Sequence, residues 1–187
     1  MRIRTISLLI LLSMTAVFSY EVEWNHSIGY LGNIPTAFVG FNITGYRAKS
    51  VGYHLDLKTN LGGRSGRDNY YDNIHPGQFD DPLKSTSDSY LIIDAGITKK
   101  LFGDLYLIAG FGIALFDKYL KYRDPMGILG NSSNEYWISD DDEAYIKPNI
   151  TGALTYLFNT KSSYGISLTI GGDLEPPGVI VGIGMTF

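Results

Sequence analysis

Apolar residues recur at every second position along most of the chain. In SYGISLTIGG, Tyr164, Ile166, Leu168 and Ile170 alternate with Gly165, Ser167, Thr169 and Gly171. VGYHLDLKTN sets Val51, Tyr53, Leu55 and Leu57 against Gly52, His54, Asp56 and Lys58. SYLIIDAGITKK sets Leu91, Ile93, Ala95 and Ile97 against Tyr90, Ile92, Asp94, Gly96 and Thr98. YIKPNITGALTYLF sets Ile146, Ile150, Leu154 and Tyr156 against Lys147, Asn149, Thr151 and Thr155. Successive side chains of a strand point to opposite faces, so period two marks a strand with two unlike faces. TAFVGFNITGY, DLYLIAGFGIALF and EVEWNHSIGY follow the rule less strictly. The last segment, VIVGIGMTF, puts Val179, Val181, Ile183, Met185 and Phe187 on one face. Its other face, Ile180, Gly182, Gly184 and Thr186, is too small and too weakly polar to meet water. The greasy face is therefore expected to meet lipid and the small face a crowded interior. The pattern predicts about eight strands, each near the ~9–11 residues that cross a bilayer at a tilt.

The connections alternate between two kinds. RAKS, LFGD and NTKSS are short turns, whereas residues 61–87 and 121–143 are long, polar and rich in Gly, Asn, Asp and Tyr. The LGNIP and GDLEPPG bends fall on the long-loop side. Short turns at one end and long loops at the other characterise transmembrane barrels. Aromatic residues sort to the strand ends as interfacial girdles do. Trp24, Tyr53, Phe102, Tyr156, Phe158, Tyr164 and Phe187 lie near the short turns, and Tyr30, Tyr119, Tyr122 and Tyr145 near the long loops. The expected fold is all-β: a closed antiparallel up-and-down transmembrane barrel.

The first residues change the picture of where that barrel resides. MRIR is basic, ISLLILLSMTAVF is apolar but too short to span a bilayer, and Ser19 is a small residue at a cleavage position. Residues 1–19 read as a signal peptide and 20–187 as one barrel domain. The formal charge of −4 becomes more negative once Arg2 and Arg4 leave with the leader, and nothing in it favours nucleic acid. The chain has no cysteine, which excludes disulfides, thiolate metal sites, a catalytic thiol and a lipid carried on cysteine.

A signal peptide, about eight amphipathic strands and the ending VGIGMTF resemble the small outer-membrane barrels of the OmpX and OmpA transmembrane-domain type. The resemblance implies an outer-membrane location in a Gram-negative bacterium, lipid as the surrounding partner, and insertion by the barrel-assembly machinery. It also implies that Gly182, Met185 and Phe187 form the signal that machinery reads. Ile180 stands where that signal ordinarily has a polar residue, so the match is partial.

The inward face collects Glu23, His54, Asp56, Lys58, Asp94, Lys118 and Lys147. The lumen of an eight-stranded barrel is just wide enough for side chains to fill it, and buried charges must pair. An interior salt-bridge network without an open pore is the expectation. No catalytic, metal or cofactor constellation stands out. A nucleophile and its base need a common face, and in NHSIG His26 and Ser27 are adjacent and so oppose each other. The acidic run SDDDEAY lacks the glycine-punctuated spacing of a calcium loop. Loops 61–87 and 121–143 mix Tyr, Trp, Asn, Gly and Ser, a composition suited to contacts with an extracellular ligand or surface. The expected role is that of a monomeric structural or surface-interaction barrel. The alternatives are an outer-membrane lipid-modifying enzyme and a soluble lipocalin-like barrel, whose lumen would be apolar rather than polar.

Overall fold

The computed structural model describes residues 24–63, 67–130, 133–158 and 163–187, so the expected leader and Glu23 lie outside the described residues. Nine strands follow in chain order: β1 (Trp24–Ile34), β2 (Val39–Arg47), β3 (Val51–Thr59), β4 (Leu83–Phe102), β5 (Leu105–Arg123), β6 (Glu135–Ser139), β7 (Tyr145–Phe158), β8 (Gly165–Leu174) and β9 (Pro177–Thr186). All pairings between them are antiparallel. The sheet runs β4-β3-β2-β1-β9-β8-β7-β5, and β4 pairs with β5 to close it. The result is an eight-stranded up-and-down transmembrane barrel, with β6 as an appendage on β5.

The register fixes how tightly the barrel is wound. From Phe158 on β7, successive partners are Ile166, Met185, Ile28, Ile43, Leu55, Ala95 and Phe111, and the path regains β7 at Ile150. The displacement from 158 to 150 is the shear: eight residues for eight strands. That combination tilts strands by about 36° and leaves an interior that side chains fill in layers. Every residue on the path is apolar and faces outward, so the wall is greasy all the way round. Along β5 the outward residues Leu105, Leu107, Ala109, Phe111, Ile113 and Leu115 are uninterrupted by charge. At ~3.3 Å per residue and that tilt they cover roughly 27 Å of the barrel axis, close to the ~25 Å apolar band of such proteins. Apolar residues outside and ionic ones inside invert the plan of a soluble ligand-binding barrel, which removes the lipocalin-like alternative.

Two apolar plugs close the lumen. Toward the short turns, the buried rings of Tyr46 and Tyr106 meet edge-on with centroids 4.9 Å apart, beside buried Leu157. Toward the long loops, Ala37, Ile92 and Ala114 pack together under Tyr90. Tyr90, Phe116 and Tyr145 continue that seal as a chain of rings 4.9 and 4.8 Å apart. The buried ion pairs of Lys58 with Asp56, Asp94 and Asp173 lie between these plugs.

Candidate functional site

Lys58, on the inward face of β3, occupies the middle of the lumen. Its ammonium lies 3.1 Å from Asp56 Oδ1, 3.0 Å from Asp94 Oδ2 and 3.0 Å from Asp173 Oδ1, and all four side chains are fully buried. The ammonium donates hydrogen bonds to Asp94 and Asp173, whereas Asp56 faces it as an ion pair whose Oδ1 accepts no hydrogen bond among the described residues. Further donors reach the Asp94 and Asp173 carboxylates. Thr151 Oγ1 lies 2.9 Å from Asp94 Oδ2 and 2.6 Å from Asp173 Oδ1. Asn149 Nδ2 reaches both carboxylates at 2.9–3.1 Å, and Asn33 Nδ2 donates to Asp173 Oδ2 at 2.7 Å. His54 extends the cluster, with Nε2 2.9 Å from Asp56 Oδ2 and Nδ1 2.8 Å from Thr44 Oγ1. β5 contributes glycine instead of a side chain at the crowded side. A Cβ on Gly112 would sit 2.3 Å from Asp94 Oδ1 and 1.9 Å from the Ile93 carbonyl oxygen.

Of the inward residues singled out from the sequence, the structure brings together His54, Asp56, Lys58 and Asp94. Lys118 and Lys147 share their parity but do not join them. Lys118 stands beyond the upper plug and pairs with Glu143 at 3.1 Å, and Lys147 is at the rim, 3.7 Å from Glu175. An apolar lid separates both from the centre. Asp173, Asn149, Thr151 and Asn33 belong to the cluster and were not singled out. Asp173 continues the inward set Ser167, Thr169, Gly171, a signal hidden by reading GDLEPPG as a bend. His26 and Ser27 do oppose each other: His26 meets the Tyr53 hydroxyl outside at 3.1 Å, and Ser27 meets Ser167 inside at 2.8 Å. Of the C-terminal residues, Gly182 faces the lumen under Leu31, whereas Met185 and Phe187 face outward.

The second ordered assembly lies past the long-loop end of the wall. β3 ends opposite Leu91 and β7 starts opposite Phe116, so residues 83–90 of β4 and 117–123 of β5 stand clear. β6 takes the vacated edge of β5, from Tyr119 opposite Ser139 to Arg123 opposite Glu135. Much of what the sequence presents as two long loops is therefore a three-stranded sheet. The loop after β3 straps both of its faces. On the outward face the Arg67 guanidinium sits 4.1 Å from the Tyr119 ring centre and 4.4 Å from that of Trp137, and bonds Ser87 Oγ at 3.0 Å. The loop then lines the β6 edge, with Trp137 N–H donating to Asn69 O at 3.0 Å and Tyr71 N–H to Trp137 O at 2.9 Å. A covered edge cannot pair with another chain. On the inner face Ile74 packs with Leu120, Tyr136 and Ile138, flanked by Tyr71, Phe79, Tyr122 and Leu129.

Charge is organised in this head as well. The Glu135 carboxylate bonds Lys121 and Lys84, which hold it down to about 2. In the turn between β5 and β6, Asp124 accepts the backbone N–H of Leu129 at 2.8 Å and of Ile128 at 3.0 Å, and these donors lower its pKa. The turn thus fixed leaves Met126 82% and Ile128 64% exposed.

No family model and no curated protein matches the chain. Among solved structures, the chain is similar to the crystal structure of Ail, the attachment invasion locus protein of Yersinia pestis. The two share 13% identity over 89% of this chain and 98% of that one, with a TM-score of 0.44.

The lumen cluster contains hydroxyl, imidazole and carboxylate in the order Thr44, His54, Asp56. All three side chains are buried between the plugs, so the relay braces the wall instead of meeting a substrate. Among the described residues no group of three His, Asp or Glu is placed to hold a metal ion. At the point where the three aspartates converge, the Lys58 ammonium already stands.

Proposed function

We propose that this chain is an outer-membrane protein of a Gram-negative bacterium, a plugged monomeric barrel that anchors an ordered head on the cell exterior for surface interaction. The observation that carries the reading is the head itself. Strands β4 and β5 extend beyond the wall, a third strand is added, and one loop straps both faces. A barrel needing only to sit in lipid has no use for that construction, and a rigid platform is what contact with another surface requires. The lumen supports the anchor role, because apolar plugs on either side of an ion-paired centre leave no aqueous path.

In this reading residues 1–19 are the leader that exports the chain, and Gly182, Met185 and Phe187 are recognised by the barrel-assembly machinery. Gly182 carries a packing role too, since a Cβ there would come 2.5 Å from Leu31 Cδ1. Phe187→Ala separates the two roles. It should lower outer-membrane levels in cells while leaving refolding into lipid vesicles from denaturant almost intact. Equal losses in both settings would reduce Phe187 to ordinary sheet packing.

The orientation and the role are tested through the turn. The chain has no cysteine, so Met126→Cys creates a single thiol, expected to react with a membrane-impermeant maleimide on intact cells. Labelling only after lysis would reverse the orientation. Replacing Met126 and Ile128 together with Ser should reduce adherence of expressing cells to epithelial monolayers at unchanged barrel levels. Unchanged adherence would leave the protein a structural anchor.

A further inference from the structure

We propose that Asp94 and Asp173 form a proton-binding site in the lumen, sharing one proton through the Thr151 hydroxyl, and that the chain takes this proton up as the barrel closes. The charge count requires it. The ionisable side chains of the cluster are His54, Asp56 and Lys58 on β3, Asp94 on β4 and Asp173 on β8, all buried. The other walls face them with neutral groups, Asn33 from β1, Asn42 from β2, Asn149 and Thr151 from β7, and Gly112 from β5. Charging both Lys58 and His54 still sets three carboxylates against two cations. An unpaired charge sealed away from water is strongly disfavoured. The Lys58 ammonium already fills the point where the carboxylates converge, and among the described residues no group is placed to hold a metal ion. The missing positive charge is therefore assigned to a proton.

The hydrogen count locates it. Asp94 Oδ2 and Asp173 Oδ1 share the same three neighbours. Each lies 3.0 Å from Lys58 Nζ, and they lie 2.9 and 3.0 Å from Asn149 Nδ2. The ammonium and the amide have hydrogens for both oxygens, but a hydroxyl has only one. Thr151 Oγ1 nevertheless approaches both, Asp94 Oδ2 at 2.9 Å and Asp173 Oδ1 at 2.6 Å. One of these contacts would otherwise bring two acceptor oxygens together with no hydrogen between them. A proton on Asp173 Oδ1 is donated to Thr151 Oγ1, which donates its own hydrogen to Asp94 Oδ2. The mirrored arrangement puts the proton on Asp94, so its titration belongs to the pair. Asp56 Oδ1 marks the same shortage. It is buried and 3.1 Å from the ammonium, yet accepts no hydrogen bond among the described residues.

The site exists only in the closed barrel, because β4 and β8 share no ladder and meet across the lumen. In the unfolded chain both aspartates stand in water and are ionised at neutral pH. The folded state therefore binds one proton that the unfolded state releases, and stability falls as pH rises. Asparagine has the shape of a protonated carboxyl, carries no charge and brings N–H donors of its own. Placed at either position, it supplies the missing hydrogen and ends the need for the proton.

The test is infrared spectroscopy of the full barrel folded in an alkyl glycoside detergent, which has no carbonyl of its own. At about pH 8, where exposed carboxyls are ionised, the spectrum should contain the carbonyl stretch of one protonated carboxyl. Folding in D2O should shift the band down. Asp94→Asn and Asp173→Asn should each remove it, whereas Asp104→Asn, on the short-turn rim, should leave it. Absence of the band from the wild type overturns the proposal, whether or not the variants fold. So does a band that survives Asp94→Asn and Asp173→Asn but is lost in Asp56→Asn. Urea unfolding in lipid vesicles supplies the second readout. Between about pH 7 and 9 the wild-type unfolding equilibrium should shift by about tenfold per pH unit more than that of Asp173→Asn. Equal pH slopes overturn the proposal, as does a wild-type stability that rises when sodium replaces N-methylglucamine, since a bound ion would then supply the charge.

Discussion

Lys58 Nζ and Asp173 Oδ1 are 3.0 Å apart across the lumen although 115 positions separate them in the chain. The contact joins β3 to β8, strands on different sides of the barrel that share no ladder. It exists only when the sheet has closed in the correct register. The ion cluster is therefore a check on closure as well as a source of stability.

Removing the cation should be costly. Lys58→Met leaves three buried aspartates without their counter-charge, and breaking a buried pair from one side costs about 3–5 kcal/mol. Asp173→Asn keeps the shape and retains a polar partner, so its cost should be smaller. Urea unfolding in lipid vesicles, followed by the mobility of unheated samples, measures both. Equal and small losses would mean that the cluster contributes little.

Reconstituted into planar bilayers, the wild-type barrel should give no steady conductance steps. The plugs are the buried Tyr46, Tyr106 and Leu157 at one end and Ala37, Ile92 and Ala114 at the other. Large, stable single-channel currents would contradict a sealed lumen.

The wall and the lumen should respond oppositely to charge. Leu168 and Ile183 are register partners on the outward face, and Arg at either site near the bilayer midplane should cost roughly 2–4 kcal/mol. Thr169→Ser, one residue along but facing inward, should cost little. Comparable penalties at Leu168 and Thr169 would place lipid on the wrong side of the wall.

Acid should loosen the head before the barrel. The Glu135 carboxylate titrates at about 2 when folded against an ordinary 4.5, because Lys121 and Lys84 bond it. A carboxylate with a depressed pKa stabilises the fold fully above its unfolded value and stops doing so as pH falls through the folded one. The loss should therefore fall between about pH 4.5 and 2. Trp137, stacked on Arg67 and close to Lys121, reports it by fluorescence in a Trp24→Phe background. Glu135→Gln should remove the transition in that window. A transition unchanged by Glu135→Gln would assign it to other groups.

The barrel was legible because alternation is a local property: each run declares its own two faces without knowledge of its neighbours. Membership of the central cluster is not local. Lys58, Lys118 and Lys147 share the inward parity, yet height in the lumen depends on register and shear, which arise only on closure. Asn33, Asn149 and Thr151 carry no charge to draw notice, and their importance comes from Asp94 and Asp173 meeting beside them. The head was hidden for another reason. LKSTSDS, at the start of β4, alternates without a greasy face, because its cover comes from the irregular loop just before it, whose folding back has no period to read.

The β4–β5 ladder also has a mechanical meaning. It runs without interruption of pairing direction from Leu83 opposite Tyr122, in the head, to Phe102 opposite Leu105, at the far end of the wall. A pull on the turn at Met126, directed away from the membrane, would draw β5 lengthwise past its neighbours. Ladder hydrogen bonds lie across the strands, so such a pull loads many of them together, as in shearing, and does not open them one at a time, as in peeling. The head is coupled to its anchor in the geometry that best withstands tension.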